Sequence, residues 1–108
     1  MKEQAKIYYN NELAGYLTFT NREYLFQYDE KYFADKTKPA ISLSLPKTEA
    51  EQRSKYLFPF FFGLLAEGDQ KKIQCRKLKI DEDDHFTRLI KTASNTIGAV
   101  SVIEVTGE

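Results

Sequence analysis

The chain has 108 residues, enough for a core of its own, and is expected to form a single domain over 1–108. Hydrophobic residues make up 42% and charged residues 30%, which excludes an intrinsically disordered composition. Lys+Arg and Asp+Glu both number 16, so the chain lacks the basic excess that a nucleic-acid binder uses against phosphate, and no direct nucleic-acid partner is expected.

The first third reads as an antiparallel meander. Lys6-Ile7-Tyr8-Tyr9 is a strand candidate stopped by Asn10-Asn11. Asn tolerates positive φ, so the pair suits a tight hairpin turn. Gly15 to Thr20 places Leu17 and Phe19 on one face and Tyr16, Thr18 and Thr20 on the other. Asn21-Arg22 is a second short turn, after which Tyr24, Phe26 and Tyr28 alternate with Leu25 and Gln27. Asp29 to Pro39 reads as a polar connection with Tyr32-Phe33 embedded in it. Ala40 to Pro46 predicts a further strand, because Ile41, Leu43 and Leu45 recur at period two and a proline stands at each end.

Lys47 to Lys55 is charged and expected to be exposed. From Tyr56 to Leu65 the chain is apolar nearly all round, which predicts a covered helix with Pro59 in its first turn. Glu67-Gly68 breaks it, with Gly68 at a left-handed C-terminal position. Asp69 is expected to cap a second helix running to about Lys79, with Ile73, Lys77 and Ile80 on one stripe. Phe86, Leu89, Ile90 and Ala93 follow the i, i+3, i+4, i+7 spacing and predict the clearest helix, with Asp81 to Asp84 at its positive end and Ser94-Asn95 ending it. Its apolar stripe should meet Leu17, Ile41 and Leu43 in the core. Ile97 to Val105 is the last strand. Together these elements predict an α+β single domain, an antiparallel sheet of about five strands packed by about three helices.

Little in the sequence points to catalysis. The glycines (Gly15, Gly63, Gly68, Gly98 and Gly107) have no phosphate-loop spacing, so no cofactor and no tightly bound nucleotide are expected. One cysteine, Cys75, and one histidine, His85, exclude an intrachain disulfide and an intrachain Cys/His zinc site. Cys75 reads as a reduced, buried thiol. Asp81-Glu82-Asp83-Asp84-His85 is contiguous rather than spread over a calcium loop, and reads as a helix start rather than a metal site. A small enzyme using that cluster is the alternative from another class. The first residues are polar, unlike a signal peptide. The longest apolar run, Leu57 to Leu65, is broken by Pro59 and Gly63 and is too short for a bilayer, so no membrane is expected and the cytoplasm is the expected location. Aromatics reach 14%, and part of that aromatic surface is expected to face a protein partner.

Four motifs point to a family. Phe60-Phe61-Phe62-Gly63-Leu64-Leu65-Ala66-Glu67-Gly68 resembles the F-F-x-x-L-L-P-E-G signature of the N-terminal subdomain of HipA-like serine/threonine kinases. Ile41-Ser42-Leu43-Ser44-Leu45-Pro46 resembles its S-L-x-L-P segment. Asp84-His85-Phe86-Thr87-Arg88-Leu89-Ile90, followed by Thr96-Ile97-Gly98-Ala99-Val100, resembles its D-x-F-x-L-L helix and G-A-V strand. Tyr9 to Gly15 is similar to its first hairpin. The resemblance is colinear from Ile7 to Val102. Ala66 stands where the family often has Pro, and Asp69 where several members place Trp. Ala93 and Asn95 stand where the kinases commonly have Gly and Asp.

The chain ends where a kinase core would begin, so it is similar to the free-standing small proteins of HipBST toxin–antitoxin systems. The resemblance implies a non-catalytic subunit of a type II toxin–antitoxin module. Such a subunit binds and restrains a separately encoded HipA-like kinase, with a HipB-like DNA-binding protein as a further member of the complex. The alternative is a structural subunit that completes the kinase fold in trans without inhibiting it. The partner-facing edge is expected at Leu64, Leu65, Ala66, Glu67, Gly68 and Asp69, where an apolar helix end meets a sharp turn and two charges. Failing that, it is expected on the outer sheet face around Tyr16, Tyr24 and Tyr28.

Overall fold

Two short turns frame the sheet. In a computed structural model that describes residues 3–93 and 99–105, Asn10 and Asn11 have φ of 50° and 67°, and Asn21 and Arg22 of 52° and 62°. Positive φ at both central residues is the type I′ hairpin requirement, and its twist matches that of the flanking strands. These turns join β1 (Glu3–Tyr9), β2 (Glu12–Thr20) and β3 (Glu23–Tyr28) into the expected meander. Two more strands, β4 (Glu51–Ser54) and β5 (Val100–Glu104), complete a five-stranded antiparallel sheet in the order β4-β3-β2-β1-β5. The helices among the described residues are α1 (Glu30–Ala34), α2 (Pro59–Phe62), α3 (Gly68–Leu78) and α4 (His85–Thr92). The fold is α+β, as the patterning predicts.

Strand register builds the core. Ala5 lies opposite Leu17, Leu17 opposite Phe26, and Ile7 opposite Val102, and all are buried. Because side chains alternate along a strand, these form one inward face. α1 adds Tyr32, α2 adds Phe61 with its ring 5.9 Å from that of Phe26, and α4 adds Phe86 with its ring 6.0 Å from that of Phe19. The stripe of α4 is buried as its spacing predicts, at Phe86, Leu89, Ile90 and Ala93. The opposite face carries Lys6, Tyr16 and Gln27 side by side, each half-buried. Register shifts between Ile7 and Tyr8, leaving Ala14 as an extra residue in β2. The Ala14 carbonyl accepts from the Asp29 amide at 2.7 Å, which ties the bulge to the start of α1.

The fifth strand is not the one expected. Ala40 to Pro46 is a tight turn with one bridge, Ser42 to Leu45. Ile41 and Leu45 both point inward, while Leu43 at the apex is fully exposed and does not join the core. Period-two spacing is met equally by a turn whose two ends share a face. The place at the sheet edge is taken by β4, within the segment expected only to be charged. Its residues lack a hydrophobic period, but the backbone pairs with β3 from Tyr24–Ser54 to Gln27–Glu51. A polar edge strand limits pairing with other chains.

The polar connection after β3 also contains a helix. Asp29 caps α1 by accepting from the amides of Lys31 and Tyr32, and Tyr32 is buried. The long helix expected from Tyr56 shrinks to the four residues of α2, with Pro59 at its start as predicted. Tyr56 itself is exposed, and the chain leaves helical geometry near Gly63. Only Cys75 of α3 is buried, while Ile73 on the expected stripe is exposed. Ser94, Asn95 and Ile97 lie outside the described residues, so the expected helix stop and the start of the last strand do too.

Candidate interaction site

The expected partner edge is split by burial. Leu65 is buried and Leu64 and Ala66 are half-buried, so these three belong largely to the packing beneath α2. Glu67, Gly68 and Asp69 are exposed. Gly68 has φ of +61°, the left-handed geometry expected, but it opens α3 rather than closing α2. Asp69 is not the cap. Glu67 holds the N-cap position in extended backbone, without a side-chain hydrogen bond to the helix, and Asp69 lies in the first turn.

The second expected surface does not form. Tyr24 and Tyr28 lie on the core face and are buried, and only Tyr16 stands on the outer face.

The surface beside Glu67 to Asp69 is organised by Phe62, at the end of α2. Phe62 is 44% exposed, and its ring meets the His85 ring edge-on at 5.1 Å. On one side lies a groove of about 300 Å³ that Phe62 and His85 line together with Phe19, Tyr24, Tyr56 and Leu57. Tyr56 rims it and is 80% exposed. On the other side lies a smaller pocket of about 180 Å³ between Phe62, the start of α3 and Arg88. Sequence reasoning left the apolar run a side for a partner but did not assign that side to Phe62 and Tyr56, because an all-round apolar run marks no face as the outer one. It missed Arg88 because the helix period places it on the face opposite the buried stripe, where a charged residue is expected to meet solvent.

Arg88 is 2% exposed. Its Nη2 donates to the Ala66 carbonyl at 2.8 Å and its Nη1 to the Glu82 carbonyl at 3.3 Å. It therefore pins the loop before α3 to α4. His85, one turn earlier, has a ring nitrogen 3.5 Å from Arg88 Nη1. Burial, then the Arg88 charge, holds the His85 imidazole below its ordinary value, against Asp83 and Asp84.

The acidic run before α4 works locally. Asp84 caps α4 by accepting from the Thr87 amide at 3.2 Å and from its hydroxyl at 2.8 Å. Asp81 accepts from the Asp83 amide at 2.8 Å. Among the described residues, no three His, Cys, Asp or Glu side chains gather as metal ligands. No described helix is long and apolar enough to cross a membrane.

The profile described as HipA N-terminal domain matches residues 5–103. The chain is 32% identical over 99 residues to an uncharacterized protein of Haemophilus influenzae, covering 92% of this chain and 90% of that one. It is also similar to a solved structure described as the N-terminal domain of HipA toxin, with a TM-score of 0.75 and 26% identity. That match covers 98% of this chain and 95% of the other.

Proposed function

Since the chain belongs to the HipA N-terminal domain family, we propose that it acts as a non-catalytic module that binds and restrains a separately encoded HipA-like serine/threonine kinase within a toxin–antitoxin complex. A HipB-like DNA-binding protein is a further member of that complex in this reading. The observation that carries it is the ridge of Phe62 and His85 beside Tyr56, an exposed aromatic surface with the charge of Glu67 on one side and those of Arg22 and Lys55 on the other. An apolar centre with a charged rim is the usual anatomy of a protein interface, and large aromatics dominate the binding energy of such sites. Phe62 replaces Leu64 and Leu65 as the anchor, because those two are partly or wholly used by the core.

The test is co-purification with the HipA-like kinase encoded beside it, and phosphotransfer by that kinase with and without this chain. Phe62→Asp and Tyr56→Asp change exposed side chains and should leave the fold intact. Both should weaken binding, and both should release phosphotransfer that the unaltered chain suppresses. Equal phosphotransfer in complex and alone would favour the purely structural role in trans. Unchanged binding by both variants would place the interface elsewhere.

A further inference from the structure

We propose that the pocket between the start of α3 and Arg88 is an oxyanion site that takes a carboxylate or a phosphate group. The site is a property of this chain and does not rest on the kinase reading.

Two independent features meet in it. The first is the uncapped start of α3. Glu67 stands at the N-cap position, but its side chain accepts none of the first-turn amides. Those amides have no intrahelical partner and carry the positive end of the helix dipole. Gly68 holds a left-handed φ, and beyond its chain neighbours and the backbone of its own helix no described atom lies within 4 Å of where its Cβ would be, so no other part of the fold covers that position. The second is Arg88. It is 2% exposed and forms no ion pair among the described residues. Its two Nη atoms are used on main-chain carbonyls, and its Nε has no hydrogen-bond partner among the described residues. A guanidinium cannot shed its charge, and a buried charge without a counter-charge is costly. An anion in this pocket supplies that counter-charge.

Arg88 and Gly68 line the same pocket, with Lys71 beside them. Lys71 is half-buried, and its one ion pair among the described residues, to Glu82, is long at 3.9 Å, so its ammonium can turn to a ligand. The Glu67 carboxylate also borders the pocket but is exposed and can face water. Backbone amides, one buried guanidinium and one half-buried ammonium around a small cavity form a donor set for an oxyanion.

The experiment is an NMR titration of the whole chain, labelled with ¹⁵N, with sodium phosphate and separately with sodium acetate at constant ionic strength. Saturable shifts are expected at the amides of Gly68, Asp69 and Gln70 and at the Arg88 Nε–H. Saturation by phosphate alone assigns a phosphate site, and saturation by acetate alone a carboxylate site. Lys71→Glu should weaken binding by about tenfold, the scale of one charge-assisted hydrogen bond. Arg88→Gln should abolish it. If Arg88→Gln does not fold, Lys71→Glu still decides the matter. Shifts that never saturate with either anion, that spread over the other lysines, or that persist unchanged in Lys71→Glu would overturn the site.

Discussion

The Tyr28 hydroxyl closes the turn that ends at Leu45. It donates to the Leu45 carbonyl and accepts from the Ile41 amide at 3.1 Å, so one buried side chain from β3 holds both ends of a five-residue loop. Tyr28→Phe keeps the ring and removes both bonds, leaving the Ile41 amide and the Leu45 carbonyl short of a partner. The expected loss is about 1–3 kcal/mol in denaturant unfolding, with the far-UV spectrum unchanged. A variant as stable as the parent would mean that water replaces the hydroxyl.

Leu89 lies at the centre of the α4 stripe with no exposed surface. Leu89→Ala removes buried methyl groups and leaves a cavity between α4 and the sheet. It should cost about 2–5 kcal/mol, measured by urea unfolding. A near-neutral result would mean that α4 does not pack on this face.

Gly15 is required by space rather than by φ. A Cβ there would lie 2.3 Å from the Gln27 carbonyl oxygen of the paired strand. That neighbour is backbone in a central pair of strands and cannot swing away. Gly15→Ala should therefore destabilise by about 1–3 kcal/mol or more, seen as a lowered Tm, although alanine suits a strand no worse than glycine does.

His85 gives the fold a pH response. Its folded-state imidazole is held below the ordinary 6.5, first by burial and then by the Arg88 charge. The unfolded chain thus takes up the proton more readily than the folded one. The stability this contributes is complete above about pH 6.5 and is lost as the pH falls from there through the lowered folded value. Melting curves between about pH 8 and about pH 5 should show a smaller drop in Tm for His85→Gln than for the parent. Equal drops would show that the ring titrates as if exposed.

The elements legible in the sequence were those whose signal is local. Asn10-Asn11 and Asn21-Arg22 announced their turns because few residues accept two successive positive φ values. α4 announced itself through a periodic stripe and the Asp84 cap. The elements that were not legible depend on distant partners. β4 has no apolar period and exists because β3 offers it a free edge. Leu43 has the same spacing to its neighbours as a strand residue, yet Tyr28 gathers Ile41 and Leu45 and turns Leu43 out to solvent. At the candidate site, the turn at Gly68 was legible from its type, whereas the exposure of Phe62 and the burial of Arg88 were not. Both follow from how α2 and α4 meet, which no run of neighbouring residues encodes.

The sheet order also sets a sequence of events in time. β1, β2, β3 and β4 can pair as soon as the chain up to Ser54 is available, through short or moderate loops. The partner for the other edge of β1 is β5, the last of the five strands in sequence, with Ala5 opposite Glu104 and Tyr9 opposite Val100. During synthesis β1 therefore waits with a bare hydrogen-bonding edge beside the apolar Ala5 and Ile7, and that edge is where a nascent chain is most open to pairing with a stranger. Its closure brings together the most distant strands of the sheet and carries the largest loop entropy of any pair in it. The final docking is helped by α4, since the Ala93 carbonyl accepts from the Val102 amide at 3.0 Å and holds the arriving strand from its outer side.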